Sequence, residues 1–161
     1  MKNLLIFSII VLILVGVGLF WLWRRVLTLP VKELKIGNKN ITVEIADTSE
    51  ARALGLSYRE SLPPESGLLF IFEKESIYPF WMKGMNFPID IIWIKNEKVL
   101  EITNNVEPDK GLMPGIYTPR EPVEKVLEIN AGKVKEWNIK INDAISLNNS
   151  ILSIVKNNLE K

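Results

Sequence analysis

One carboxylate, Asp90, stands among aliphatic and aromatic residues in the segment FPIDIIWI at positions 87–94. If this segment is a strand, alternate side chains point to opposite faces of a sheet. The first face carries Ile89, Ile91 and Trp93, and the second carries Asp90, Ile92 and Ile94. Because both faces are otherwise apolar, the sequence predicts that Asp90 is at least half buried. An unpaired buried charge is unfavourable by several kcal/mol, so Asp90 needs either a cationic partner or a raised pKa.

Three cations are candidate partners for Asp90, namely Arg52, Arg59 and Lys83. Arg52 falls on a predicted helix that directly follows a predicted strand, which favours its pairing with Asp90. Two interpretations stay open. In the first, Asp90 has a structural role, as one member of an ion pair or as the cap of a turn beside Pro88. In the second, its carboxylate contacts a ligand or takes part in catalysis.

A group of aromatic and sulfur-containing side chains precedes this segment. The sequence PFWMKGM at 79–85 places Phe80, Trp81 and two methionines around Lys83. These rings are either core residues beside a solvated lysine, or the aromatic wall of a cleft that binds a ring, a sugar or part of a lipid.

The amino-acid composition excludes several chemistries, because the chain contains no Cys and no His. Ser-His-Asp and Cys-His catalysis, thiolate or imidazole zinc sites, iron–sulfur clusters and disulfides are all excluded. Acid–base chemistry would have to come from Asp, Glu, Lys or Tyr. A metal ion would need carboxylate and carbonyl oxygens, and no loop has the required spacing. We expect no metal site and no cofactor.

The charge of the chain argues against nucleic-acid binding. The whole sequence has 20 Lys+Arg and 19 Asp+Glu, and residues 1–23 contribute only Lys2. The remainder is therefore formally neutral and lacks the basic field expected of a protein that binds nucleic acid.

Residues 4–23 are predominantly apolar, and no charged residue interrupts these 20 positions. A helix of this length rises about 30 Å, which matches the hydrocarbon thickness of a bilayer. Trp21 and Trp23 close the run, and Arg24 and Arg25 follow, as is typical of a helix end at a membrane interface. The sequence predicts an uncleaved transmembrane anchor and linker at 1–30 and one soluble domain at 31–161.

Two alternatives to this topology stay open. A signal peptide could be cleaved after the small residues Gly16–Gly18, although cleavage there would leave a hydrophobic new terminus. The positive-inside rule, applied to Arg24 and Arg25 against Lys2, favours a cytoplasmic domain, whereas a short N-terminal anchor commonly acts as an export signal.

The rest of the chain is predicted to form many short strands. Strands or extended segments are predicted at 31–36, 41–46, 68–72, 78–84, 87–94, 99–103, 123–129, 144–147 and 151–155, with a helix at 48–54, a helical turn at 132–137 and a long loop at 104–122. A capping-box spacing from Asp47 to Glu50 predicts where the helix begins, and Gly55 predicts where it ends. The pattern predicts a mainly β fold, a small antiparallel β-sandwich or barrel-like domain with one short helix, preceded by the N-terminal transmembrane helix.

Three segments resemble the domain of unknown function 192 family, an uncharacterised group in bacteria and archaea. They are ITVEIADTSEARALGLSYRESLPPESGLLFIF, FWMKGMNFPIDIIWI and VLEINAGKVKEWNIKINDAI. The resemblance covers roughly Ile41 to Ser146. It implies a compact β-sandwich-like fold, carried behind a signal peptide or anchor outside the cytoplasm, and it implies no established activity.

Several residues of the chain match the family pattern. They are Arg52, Trp81, Lys83, Pro88, Asp90 and Glu128. All of these except the proline are our candidate ligand-binding residues. The chain departs from the family at Ser57 and Leu68, where Met is usual, and at Gly84-Met85, where Asn-Thr is usual. The second change removes two polar groups beside the Trp-Met-Lys motif, so a family site that uses them would be altered here.

Three classes of function are compatible with the sequence. The first is a membrane-tethered, extracytoplasmic module that binds a small molecule, glycan or peptide of the cell envelope. The second is an accessory or structural protein of an envelope complex. The third is a hydrolase that uses Asp90 with Glu101, Glu107 or Glu128 as a carboxylate pair. A binding module requires an aromatic pocket beside Trp81 and Asp90, and an accessory protein requires an exposed apolar patch.

Overall fold

The computed structural model describes residues 7–8, 10–18, 29–109, 111 and 115–148. Nine strands and two short helices follow the first helical residues. They are β1 (Val31–Ile36), β2 (Lys39–Ala46), α1 (Ser49–Leu54), β3 (Ser66–Ser76), β4 (Phe80–Trp81), β5 (Ile89–Lys95), β6 (Lys98–Val106), β7 (Ile116–Tyr117), β8 (Val123–Asn130), α2 (Lys133–Glu136) and β9 (Ile145–Asn148).

Seven of the strands form one sheet in the order β6-β5-β8-β3-β2-β1-β9, and β4 pairs with β7 in a separate ribbon. The expectation of a mainly β domain is confirmed. The expectation of a wholly antiparallel sheet is wrong, because β2 and β3 run parallel. The chain leaves β2, forms α1 and returns to start β3 at the same end, which is the crossover that a parallel pair requires.

The sheet curls into a half-barrel whose two edge strands meet at one end. An isolated antiparallel bridge joins Lys98, at the start of β6, to Ala144, just before β9. Next to this bridge, the backbone N–H of Ile145 donates to the carbonyl oxygen of Glu97 over 2.8 Å. The barrel-like alternative of the sequence analysis is therefore close to the observed shape.

Apolar side chains form two clusters, one on each face of the sheet. The inner cluster takes residues from all seven strands and includes Ile92 and Ile94. The outer cluster includes Ile89, Ile91 and Trp93, and it is covered by buried residues from outside the sheet such as Leu56, Leu62 and Met82. The alternation predicted for β5 is confirmed, since each of its two predicted faces enters a different cluster.

Local signals set the ends of the short elements. The turn between β1 and β2 occupies only Gly37 and Asn38, so β2 begins earlier than the sequence predicted. Thr48, and not Asp47, is the N-cap of α1, because its hydroxyl accepts from the backbone N–H of Ala51 over 3.1 Å. Gly55 ends the helix with a positive φ of 54°, as predicted. The segment predicted as extended at 78–84 forms only the two-residue strand β4.

The N-terminal region is described in part. Residues 7–8 and 10–18 are helical and their side chains are exposed. Within the described part of the chain, no helix has both the length and the apolar character needed to cross a bilayer. The other positions of the predicted anchor, at 4–6, 9 and 19–23, lie outside the described residues, as does the strand predicted at 151–155.

Candidate functional site: an aromatic pocket above Glu128

A pocket of about 200 Å³ opens between α1, the turn that follows it, and strands β3 and β4. Its lining combines helix and turn residues with aromatic side chains and one acid: Arg52, Ala53, Leu54, Gly55, Leu56, Ser57, Phe70, Phe72, Tyr78, Pro79, Phe80, Trp81, Met85 and Glu128. A concave apolar site with a few polar groups is the usual form of a small-molecule site.

Aromatic rings in contact with one another build one wall of the pocket. Phe80 lies at the centre, with its ring edge-on to Phe70 at 4.9 Å and to Trp93 at 5.4 Å between centroids. Phe72 and Tyr78 stack in parallel at 3.6 Å. Because edge-on and stacked pairs are favourable and each ring is held by another, the wall is rigid before any ligand arrives.

Glu128 of β8 is the acid of the pocket. Its side chain lies on the outer face of the sheet between Leu68 and Ile91, its partners on the two neighbouring strands. The residue is 6% exposed. Its Oε2 atom is buried and accepts no hydrogen bond from any residue that the structure describes. Burial raises the pKa of the Glu128 carboxyl to about 8, against a smaller lowering by the nearby guanidinium of Arg59.

The cation whose charge acts on Glu128 already has a partner. Arg59 makes a two-pronged ion pair with Glu44 on β2, with Nη1 and Nη2 at 2.6 and 2.8 Å from the two carboxylate oxygens. This pairing raises the pKa of the Arg59 guanidinium, and burial opposes the effect. Because its fork is occupied by Glu44, Arg59 acts on Glu128 through its charge and makes no hydrogen bond to it.

Arg52 reaches the pocket from α1. Its Nη1 atom donates to the carbonyl oxygens of Asp47 and Ile71 over 2.5 and 2.9 Å, and its guanidinium lies 5.3 Å from the centre of the Phe72 ring. The predicted pairing of Arg52 with Asp90 is therefore wrong. Arg52 ties the helix to the end of β3 and lines the pocket at the same time.

Trp81 lines the pocket and is 49% exposed, so it belongs to the rim. Lys83, two residues later, is exposed and does not line the pocket. Its backbone carbonyl accepts from the Ser57 hydroxyl over 2.9 Å, which joins the turn after α1 to the turn after β4. Gly84 in that turn has a positive φ of 74°, a conformation that Gly adopts without a steric penalty.

Asp90 lies on the opposite, inner face of the sheet and is fully buried. Its two oxygens accept from the backbone N–H groups of Asn105 and Val134 over 2.8 and 3.0 Å. It thereby caps the first turn of α2, whose own N-cap, Gly132, has no side chain. The predicted burial is confirmed, but the predicted cationic partner is wrong, because backbone donors stabilise the carboxylate.

The sheet separates the two buried acids. Glu128 is paired with Ile91, whereas Asp90 is paired with Ile129, and neighbouring residues of a strand point to opposite faces. Asp90 and Glu128 therefore cannot act together on one substrate. No group of three Asp or Glu residues suited to a metal ion occurs among the residues that the structure describes.

A second, wider groove of about 570 Å³ runs along β6. Its lining includes Glu101, but Glu101 Oε2 accepts from the backbone N–H of Arg120 over 2.9 Å, and its Oε1 lies 3.7 Å from the Arg120 guanidinium. The acid Glu101 of this groove is therefore already engaged by Arg120. The aromatic pocket is the better candidate, because its acid has an oxygen without a partner.

The structure thus brings together Arg52, Trp81 and Glu128 and leaves Lys83 and Asp90 outside the pocket. Phe72 and Tyr78 also line the pocket and were not among the predicted site residues. Phe72 stands two positions after Phe70 in β3, so both rings share a face, and this period-two pattern was a usable signal.

Comparisons with known proteins agree with the fold. The model of the family DUF192, described as Uncharacterized ACR, matches residues 32–147. A solved structure from Sinorhizobium meliloti 1021, described as a candidate transcription regulator, is 29% identical, with a TM-score of 0.70 over 75% of this chain and 96% of its own. One from Novosphingobium aromaticivorans DSM 12444, described as a protein of unknown function, is 28% identical, with a TM-score of 0.67 over 73% of this chain and 86% of its own. No curated protein matches the chain significantly.

Proposed function

Because the chain belongs to the DUF192 family, whose description assigns no activity, we propose a function from its own pocket: a membrane-anchored, extracytoplasmic module that binds a small ligand of the cell envelope. The ligand places a ring or another flat apolar part against the aromatic wall. The observation that carries this proposal is the preformed pocket of about 200 Å³ with Phe72, Tyr78 and Phe80 in its wall and Trp81 on its rim.

Binding is a better interpretation than catalysis. Hydrolysis by a carboxylate pair requires two acids on either side of an open cleft. Asp90 is fully buried with both oxygens bonded to backbone, and it lies behind the sheet from Glu128. Among the lining residues, Glu128 is the single carboxylic acid, and the hydroxyl of Tyr78 already donates to the backbone carbonyl oxygen of Lys74 over 2.6 Å.

The binding proposal is tested with the full chain and a neutral aromatic probe, benzyl alcohol, alongside glucose and N-acetylglucosamine, by ligand-observed NMR. We expect the aromatic probe to bind and Trp81→Ala to weaken its binding several-fold, since an aromatic pair contributes about 0.5–1.5 kcal/mol beyond its buried area. Trp137→Ala is the matched control, because Trp137 packs against the inner cluster. Equal weakening by both variants, or binding of none of the probes, would contradict the proposal and favour an accessory role.

The anchor is proposed from the apolar run at 4–23 and is tested by membrane extraction of the full chain. Leu12 and Leu14 are exposed apolar residues of this run. Changing both to Lys should release the protein into the soluble fraction, because a Lys at the centre of a spanning helix costs about 2.5–3.5 kcal/mol. Ile141→Lys, at an exposed position of the domain, is the control. Retention of the double variant in the membrane would refute the anchor.

The side of the membrane is tested by labelling, which the absence of Cys from the chain makes simple. Ser61 is exposed on the domain, so Ser61→Cys introduces a single accessible thiol. An impermeant maleimide should label this thiol in intact cells if the domain is extracytoplasmic. Labelling only after lysis would place the domain in the cytoplasm and overturn that part of the proposal.

A further inference from the structure

We propose that Glu128 makes the pocket selective for ligands that carry a protonated amine on an apolar or aromatic body. This inference rests on the proposed binding function and specifies the charge of its ligand.

The first support is an unsatisfied acceptor. Oε2 of Glu128 is buried and accepts no hydrogen bond from the described residues, although the side chain lines the pocket. Buried polar atoms in folded proteins nearly always have a partner, and an exception calls for an explanation such as a ligand. In its ionised form Glu128 presents this oxygen as an acceptor, and a charged N–H donor makes the strongest hydrogen bond to a carboxylate.

The second support is that the charged side chains facing Glu128 are already engaged. Glu44 on β2 and Arg59 after α1 neutralise each other in their two-pronged pair. Arg52 on α1 donates to the carbonyl oxygens of Asp47 and Ile71. No described cation makes an ion pair with Glu128, so a cationic group from a ligand would be its first direct partner.

The third support is the chemistry of the walls. Aromatic faces attract cations, and Phe72 already has the Arg52 guanidinium 5.3 Å from its centre. Four further rings of the lining offer apolar surface to the body of the ligand: Phe70, Tyr78, Phe80 and Trp81. The pocket therefore favours an amine on an aryl or alkyl stem over a bare ammonium ion, which would leave the aromatic wall unused.

Binding of such a ligand is coupled to a proton. With the pKa of the Glu128 carboxyl at about 8, the empty pocket holds a neutral acid at pH 7. A simple amine is protonated at that pH, as a Lys side chain is. When the ammonium binds, Glu128 ionises and its proton passes to the solvent. Affinity should therefore rise about tenfold per pH unit from about pH 6 towards pH 8.

The test uses the full chain and three probes of one shape: benzylamine, benzyl alcohol and benzoate. Dissociation constants are measured by calorimetry at several pH values and in buffers of different ionisation enthalpy, which gives the number of protons released. The variants are Glu128→Gln and Glu124→Gln. Glu124 is on the same strand and also has a buried Oε2 without a partner, but it does not line the pocket, so its variant controls for the loss of one carboxylate.

We expect benzylamine to bind most tightly and benzoate most weakly. Glu128→Gln should weaken benzylamine about tenfold to a hundredfold and abolish the proton release, since a hydrogen bond to a charged group is worth about 1.5–3 kcal/mol. Benzyl alcohol should lose less affinity than benzylamine in Glu128→Gln, because apolar contact with the aromatic wall does not depend on that charge. Urea unfolding of the variant shows separately that it is folded. Glu124→Gln should behave as the parent.

Two results overturn the inference in different ways. If benzylamine and benzyl alcohol bind the parent equally and Glu128→Gln changes neither, the amine preference is wrong while the binding function stands. If no probe binds the parent at any pH, the pocket is not a binding site and both proposals fail.

Discussion

Replacement of Glu128 by Gln should remove a large pH dependence from the stability of the domain. The substitution keeps the shape of the side chain and deletes its ionisation. In the parent, burial raises the pKa of Glu128 from 4.5 to about 8, so the folded state holds a proton that the unfolded chain has lost. Stability from this group is therefore complete below pH 4.5 and declines as the pH rises through 8.

The magnitude follows from the two pKa values. Each unit of pKa difference corresponds to about 1.4 kcal/mol, and integration from about pH 5 to about pH 8 gives a loss of about 3.5 kcal/mol in the parent. Glu128→Gln has no such loss. The two proteins should be similar in stability near pH 5, and the variant should be the more stable by about 3.5 kcal/mol near pH 8.

The assay is urea unfolding of the full chain at a series of pH values, followed by tryptophan fluorescence. The quantity of interest is the difference in unfolding free energy between the parent and Glu128→Gln, because titrations shared by both proteins cancel. Glu124→Gln removes a carboxylate from the same strand and controls for the change in net charge. A parent–Gln difference that stays constant from pH 5 to pH 9 would refute the claim that this acid is buried without a partner.

Three further predictions concern the frame around the pocket. Gly67→Ala should destabilise the domain by about 1–3 kcal/mol in urea unfolding, because a Cβ there would lie 2.9 Å from the Glu128 carbonyl oxygen. The control is Gly115→Ala, which should be nearly neutral because a Cβ at that position meets nothing closer than 3.6 Å. Asp90→Asn should lower the unfolding free energy by about 1–3 kcal/mol and leave probe binding unchanged, and a loss of binding without a loss of stability would show that Asp90 belongs to the site. Gly84→Ala should cost about 1–2 kcal/mol at its positive φ, whereas Gly84→Asn should cost less, and equal melting temperatures for the two would show that this φ does not matter.

Most strands of the seven-stranded sheet, and the two faces of β5, could be predicted from the sequence alone, whereas β7 falls within the segment predicted as a long loop. The period-two alternation around Asp90 assigned Ile91 and Ile92 to different faces, and the structure places them in different clusters. Gly55 predicted where α1 ends, and the structure ends the helix there. These features depend on neighbours in the chain, so local patterns contain the information that determines them.

The family resemblance drew attention to Arg52, Trp81 and Glu128, which the structure brings into one pocket. It also drew attention to Asp90 and Lys83, which the structure leaves outside it. The sequence could not separate these two groups, because a pattern of matching residues does not distinguish a carboxylate that caps a helix from one that lines a cavity.

Only the tertiary structure decided which acid faces the pocket. The crossover through α1 makes β2 and β3 parallel and sets the helix over the outer face, and the pairing of β8 with β3 and β5 turns Glu128 towards it. Asp90, on the neighbouring strand, points inward and meets the backbone N–H groups of Asn105 and Val134. The burial of Asp90 could be predicted from the local sequence. Its hydrogen-bond partners could not, because they depend on strand register, which brings together residues far apart in the chain.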